Sequence, residues 1–326
     1  TASIVNKKAA TLAGEEFFKN PIGTGAFTFE SWVAGDRITL NSFKDYWGEK
    51  PKVEKVIFRS IPEVSNRMIA LETEEIDASF DIGIMDREAL INHKDLTLIE
   101  VESSAQLYLS FDQTNPLFKD IRVRQAISYA IDNKVLAEAV FRGSASPANS
   151  PLPSAVAGHK DIDYYEQNIE LAKKLLAEAG YPNGFPLKLW VNDESTRVDM
   201  CVIIQGQLKE IGIDVDIEVF EWGTFLTKTL EHNKPLYLFS WSGSTGDADG
   251  ILYPMFHSSQ RDVSANRSNY FSSKVDSLLD MARTSIDEEK RLSLYKEAQE
   301  KIQKDLPHYT CLLYTSPSPR DGATSR

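Results

Sequence analysis

An α/β fold in two parts is what this sequence predicts, and three observations carry the expectation. Between residues 168 and 220, helix-period segments alternate with short β-rich runs, and both helices close on a glycine, Gly180 and Gly212. That alternation implies a mainly parallel sheet. Near the start, residues 23–43 alternate apolar and polar side chains around Ala34-Gly-Asp36, the pattern of a β-hairpin. Finally, 326 residues of which 42% are hydrophobic can bury a sizeable core, and that length favours two domains over one.

Taken in order, Phe27, Phe29, Ile38 and Leu40 are the apolar positions of the hairpin. Residues 53–61 read as the next strand, ended by Pro62, and 65–72 open a helix with Met68, Ile69 and Leu71 toward the sheet. A strand at 76–82, a short helix at 86–93 and extended segments over 96–111 complete a first part, residues 1–109. The second part, 110–310, begins with a helical stretch over 122–141. There Val123, Ala126, Ile127, Ala130 and Ile131 recur at helical spacing, and Asp132 is placed to cap a following helix. Residues 144–153 form an irregular connector rich in Pro and Ser. Two helix–strand units follow, 168–180 with 186–191 and 196–212 with 214–220. A helix over 222–231 precedes an apolar strand, and amphipathic helices over 273–283 and 287–305 end the pattern. Gly23-Thr-Gly25 is a turn rather than a phosphate loop, since it lacks the Lys-Ser/Thr pair and leads into a strand.

The apolar strand is the start of Leu236-Tyr-Leu-Phe-Ser-Trp-Ser-Gly-Ser-Thr-Gly-Asp-Ala-Asp-Gly-Ile-Leu-Tyr-Pro254. It ends at Trp241 and breaks into a polar loop of Ser242, Gly243, Ser244, Thr245, Gly246 and Asp247. Such a loop presents hydroxyls, backbone N–H groups and a carboxylate beside an indole, a combination suited to a polar small molecule. The same residues are ordinary turn formers, and taken alone they leave both readings open.

A formal net charge of −12 argues against nucleic acid, which needs clustered Lys and Arg, and acidic surfaces favour a soluble monomer. No run approaches the ~20 apolar residues of a membrane-spanning helix. Residues 1–8 lack the pattern of a secretion signal. Cys201 and Cys311 offer no disulfide framework, and Cys201, in an apolar helical stretch, reads as a buried structural thiol. The histidines, His93, His159, His232, His257 and His308, are isolated from one another and from the cysteines, so neither metal ligation nor a cofactor is expected. Asp247 and Asp249 could form a glycosidase dyad, but carboxylates two apart in a Gly-rich loop are more often turn formers.

Several segments stand in a specific order: Asn20-Pro-Ile-Gly-Thr-Gly-Ala-Phe27, Asp45-Tyr-Trp-Gly48, Val123-Arg-Gln-Ala-Ile-Ser-Tyr-Ala-Ile-Asp132, Ala172-Lys-Lys-Leu-Leu-Ala-Glu-Ala-Gly180, Gln205-Gly-Gln-Leu-Lys-Glu-Ile-Gly-Ile213 and Glu221-Trp-Gly223, followed by the Trp241 loop. In this order they resemble the family 5 solute-binding proteins that serve bacterial ABC importers of peptides and nickel. That loop looks most like the glutathione-binding branch. Dipeptide and oligopeptide binders usually carry Asp where this chain has Ser244.

The resemblance implies a two-lobed clamp of the periplasmic-binding-protein type (type II, cluster C-like) with one lobe incomplete. Residues 1–109 would be the remaining part of lobe I, and 110–310 lobe II. It implies an importer's substrate-binding component that closes on a peptide, with glutathione the favoured specific ligand, and delivers it to the permease. The site would be periplasmic or on the outer face of the cell membrane, with a lipid anchor. Nickel chelates or other small solutes are the alternative within the family, and a carboxylate-dyad glycosidase the opposing class. Trp241 would stack on the ligand. Ser242, Gly243, Ser244 and Thr245 would donate hydroxyl or backbone hydrogen bonds, and Asp247 would take the ligand amine or brace the loop. Arg197, in the first turn of its helix, is the expected carboxylate partner, against the reading of a solvated surface charge. Asn149 lies in the connector that would edge the cleft. The family also places about half of lobe I and the secretion signal before Asn20. Residues 311–326, polar and Pro-rich, are expected to be a non-native or disordered tail.

Overall fold

The hairpin read around Ala34–Asp36 forms. A computed structural model describes residues 4–80, 82–101, 103–162, 165–243, 245–261 and 265–314. The chain divides into two compact units, Thr1–Gly83 and Ile84–Arg326.

In the first unit, α1 (Lys7–Ala13) is capped by the Asn6 side chain and precedes a three-stranded antiparallel sheet. Its strands are β1 (Phe27–Val33), β2 (Arg37–Ser42) and β3 (Lys55–Arg59), with pairs Trp32↔Ile38 and Ile38↔Phe58. Helix α2 (Val64–Glu72) buries Met68 and Ala70 while Ile69 is exposed. Expecting both Met68 and Ile69 on one face was wrong, because adjacent helical residues point roughly 100° apart. The strand expected at 76–82 is absent among the described residues. There Glu74 takes a positive φ, and the amides of Glu75 and Ile76 return to the Ala70 carbonyl, turning the chain off the helix end.

The second unit starts with α3 (Arg87–Ile91) and β4 (Ala105–Ser110), whose six residues are all buried. Then follow α4 (Pro116–Lys119), α5 (Ile121–Ala130), α6 (Asn133–Phe141), β5 (Ala145–Pro147), α7 (Ile169–Glu178), β6 (Pro186–Asn192), α8 (Ser195–Lys209), β7 (Asp214–Phe220), α9 (Trp222–Lys228) and β8 (Leu236–Ser242). Helices α10 (Asp249–Phe256), α11 (Ser273–Thr284) and α12 (Glu288–Asp305) lead to β9 (His308–Tyr314). Asp132 caps α6 by accepting from the amides of Lys134 and Val135, as its position predicts. Gly212 crosses Gly184 so closely that a Cβ on Gly184 would lie 1.9 Å from the Gly212 carbonyl oxygen. Both take positive φ, which suits a residue without a Cβ.

The sheet order is β5-β9-β4-β8-β6-β7. Only β6 with β7 and β6 with β8 pair parallel; β4 with β8, β4 with β9 and β5 with β9 are antiparallel. The expected mainly parallel sheet is therefore a mixed one, because β4 inserts antiparallel between β8 and β9 and β5 pairs antiparallel with β9. β4, at the sheet's centre, assigns residues 84–109 to the second unit rather than the first. Residues 311–314 belong to β9, with Cys311 and Leu312 fully buried, and not to a tail; 315–326 lie outside the described residues.

Strand alternation divides the core between the two faces. Leu107, Leu109, Leu189, Val191, Leu236 and Leu238 face α5 to α8, and Tyr108, Trp190, Tyr237 and Phe239 face α9 to α12. Past the end of β4, Asp112 is fully buried beside Lys234, 3.2 Å away. It also accepts from the Thr114 and Lys234 amides and from Thr114 and Asn269 side chains, so its lone pairs are spent. Asp112→Ala strands a buried ammonium and is expected to cost about 3–5 kcal/mol in urea unfolding; a loss below 1 kcal/mol would show that Lys234 finds water instead.

His308 is buried, stacked on Tyr108 at a ring distance of 4.3 Å and tilted against Phe256 at 5.1 Å, and neither ring nitrogen has a hydrogen-bond partner. Burial pushes its pKa down to about 3. Unfolded histidine protonates near 6.5, so this site's contribution to stability is whole above that pH and drains away as pH falls toward 3. His308→Phe is expected to flatten the fall in urea midpoint between pH 7 and 4. Superimposable acid limbs for variant and parent would contradict this.

Candidate functional site

β6 is where the chain reverses its direction of travel across the sheet. The β6–α8–β7 connection goes to one side and β7–α9–β8 returns to the other, with Leu189↔Leu236 and Trp190↔Tyr237 aligning β8 parallel to β6. In open α/β sheets the crevice beyond the carboxyl ends of such strands is the usual ligand position. The residues ending these strands and starting the next helices are Asn192, Arg197, Trp222 and Ser240 to Ser242.

Arg197 joins them. Its Nη1 donates to Asn192 Oδ1 at 2.9 Å and its Nη2 to Ser240 Oγ at 2.7 Å, while Nε lies 3.6 Å from Glu194. The side chain is only 13% exposed, so the solvated-charge reading fails. Its guanidinium lies 5.9 Å from the Trp222 ring, which stacks on Phe239 and leaves 42% of the Trp222 residue open to solvent. Trp222, Asn192 and Ser240 were not singled out from the sequence as site residues. A signal existed in the tryptophan placed directly after a strand, at the first position of a helix.

Trp241 is half-buried against the second core cluster, pairs with Gln106 of β4 and donates weakly to the Gly250 carbonyl at 3.4 Å. It is partly a core residue. Ser242 and Thr245 are exposed, and Ser244 lies outside the described residues. Gly243 packs so tightly that a Cβ there would sit 2.8 Å from Ile251, which makes it a packing requirement.

Asp247 is tied into the protein itself. Arg291 of α12 grips it bidentately, at 2.6 and 3.0 Å, and its Oδ1 accepts from the Asp249 amide at 2.8 Å. Arg291 holds the Asp247 carboxyl below its ordinary pKa. Asp249 has its own arginine, Arg283, at 3.2 Å. A general acid needs a raised pKa, so Asp247 is poorly set to serve as one. Asn149 donates to Asp161 at 2.8 Å in the connector, which meets the loop through the Ala157↔Asp247 bridge.

Elsewhere, a groove of about 810 Å³ runs along β6 and β7, lined by Lys188, Trp190, Glu218, Phe220 and Lys228. Each carboxylate oxygen of Glu218 already has one partner, Lys188 on one and the Trp190 indole N–H on the other. Among the described residues, no group of three or more His, Cys, Asp or Glu is placed to hold a metal, and no helix is long and apolar enough to cross a membrane.

A family model described as bacterial extracellular solute-binding proteins, family 5 (Middle), matches residues 1–262. The chain belongs to this family. Its members are solute-binding proteins rather than enzymes. The chain is 30% identical over 319 residues to the dipeptide-binding protein of Escherichia coli K12, which covers 94% of this chain and 59% of that protein. To the glutathione-binding protein GsiB of Pectobacterium atrosepticum it is 31% identical over 314 residues, 94% of this chain and 61% of that one. Among solved structures it is similar to the periplasmic binding protein DppA of Helicobacter pylori in complex with the peptide STSA. The TM-score is 0.81 at 31% identity, covering 96% of this chain and 62% of that one. The chain thus spans about three fifths of the length of the family 5 relatives it matches.

Because Trp241 is shared between core and edge, Trp241→Ala is expected to lower unfolding free energy by about 2 kcal/mol, less than for a fully buried Trp. Chemical denaturation decides: no change in midpoint would mean that its contact with the second cluster contributes nothing.

Proposed function

We propose that this protein is the substrate-binding component of an ABC importer, acting outside the cytoplasmic membrane, and that it captures peptides or peptide-like solutes for a permease. The observation that carries the reading is Arg197, fixed by Asn192 and Ser240 at the carboxyl ends of β6 and β8 and flanked by the open face of Trp222. A guanidinium already oriented by Asn192 and Ser240, with Glu194 only at 3.6 Å from Nε, can receive a carboxylate at small entropic cost, and an adjoining indole accepts the apolar part of the same ligand. Family membership supports it, as do relatives named for dipeptide and glutathione binding and a neighbour solved with a peptide.

Glutathione is the specific ligand we favour. Asp247 is engaged by Arg291, and the chain has Ser244 where the dipeptide and oligopeptide binders it resembles usually carry Asp, which favours a loop of neutral donors. A ligand with two carboxylates and a γ-linked glutamate suits such a loop and a neighbouring arginine better than a short peptide relying on its free amine.

Calorimetry of the chain with reduced glutathione and with dialanine tests both levels. Arg197→Ala is expected to weaken binding at least about tenfold, ~1.4 kcal/mol, with Arg197→Lys intermediate because an ammonium cannot fork. Ser244→Asp is expected to shift preference from glutathione toward dialanine. Unchanged affinity in Arg197→Ala would remove the carboxylate site, and an unchanged ligand ratio in Ser244→Asp would remove glutathione.

A further inference from the structure

Helix α12 is strongly polar in sequence, yet it turns a polar stripe inward. Arg291, Tyr295 and Gln299 are spaced four apart and so lie above one another on one helical face, with Tyr295 and Gln299 fully buried. Buried polar atoms need partners, and most of those this stripe finds are remote in sequence. Arg291 forks onto Asp247 and donates to the Tyr295 hydroxyl at 3.2 Å; that hydroxyl donates to Asp249 Oδ1 at 3.4 Å. Gln299 Oε1 accepts from Ser150 Oγ at 2.8 Å and the Lys160 amide at 3.1 Å, and its Nε2 donates to the Gly158 carbonyl at 2.8 Å.

The upper end of the stripe therefore holds the loop after β8, and the lower end holds the 149–160 connector. These segments also join each other through the Ala157↔Asp247 bridge. Gly158 of the connector, at φ +91°, packs between α12 and the loop: a Cβ there would be 3.3 Å from Leu292 and 3.9 Å from Ala248. From Ser150 the chain of contacts continues inward, its carbonyl accepting from Gln106 Nε2 at 2.8 Å, and Gln106 is the strand partner of Trp241.

We infer that the Arg291–Tyr295–Gln299 stripe of α12 is the positioning element of the strand-end site, setting the loop after β8 and the connector in one register. It acts through Asp247, Ser150 and Gln106 on Trp241 and Asn149. The word site rests on the proposed function; the positioning does not.

Hydrogen exchange read by mass spectrometry separates the two. In the 326-residue chain, Arg291→Ala is expected to speed exchange at least about tenfold in peptides over 243–252 and 149–162, with helices α5 to α8 unchanged. Arg291→Lys should be partial, and the swap Asp247→Arg with Arg291→Asp should restore slow exchange. Gln299→Leu should release 149–162 first. Loop exchange that stays slow in Arg291→Ala, or that rises equally across the whole unit, overturns the inference. Calorimetry with reduced glutathione adds a second reading: tenfold weaker binding in Arg291→Ala supports positioning, and equal affinity overturns it. If the parent chain binds no glutathione, the ligand assignment falls, and exchange alone decides the stripe's role.

Discussion

The parallel alignment of β8 beside β6 is the constraint on which the functional end of this molecule depends. Two cross-strand pairs, Leu189↔Leu236 and Trp190↔Tyr237, set it. Their side chains alternate onto opposite cores, so a slip by one residue would move leucines and aromatics to the wrong faces. With that register held, Asn192 and Ser240 end their strands close enough for one guanidinium to bond both. Arg197 is positioned by its partners on β6 and β8 as much as by its own helix.

Charge in this half of the protein is matched pair by pair. Asp112 has Lys234, Asp247 has Arg291 and Asp249 has Arg283. The consequence differs with burial. Asp112 and Lys234 are sealed from water, so the pair must be complete to be tolerated. Arg291 and Asp247 are partly solvated, and their value lies in fixed bidentate geometry more than in energy. In that geometry Arg291 and the Asp249 amide together occupy the Asp247 carboxylate and tie the loop to α12.

The second unit's sheet shows how an α/β stretch can sit inside a mixed architecture. Helices separate all of its consecutive strands, yet parallel pairing in the described sheet is confined to β6 with β7 and β6 with β8. β4 arrives from the preceding segment and β9 returns after three helices, both antiparallel to their neighbours. β9 covers what would be an open edge of β4 and carries His308 into the aromatic core. There the imidazole lies without a hydrogen-bond partner, and burial favours its neutral form.

By itself the sequence determined the local elements. Period and capping chemistry placed the hairpin, the two helix–strand units, the Asp132 cap and the amphipathic helices of the C-terminal half, because these depend on neighbours a few residues apart. The ordered motifs and the family match agree, and the Trp241 loop was legible as a strand breaking into donors. Tertiary structure alone decided the rest. Whether Asp247 faces a ligand or braces the loop depends on Arg291, 44 residues away. Whether Arg197 is solvated depends on Ser240, 43 residues away. β4 joined the second unit, and residues 311–314 became a strand, through pairing with partners far along the chain. Such contacts leave no periodic trace, since hydrogen bonds between distant residues are set by how elements pack and not by the spacing of residues within them.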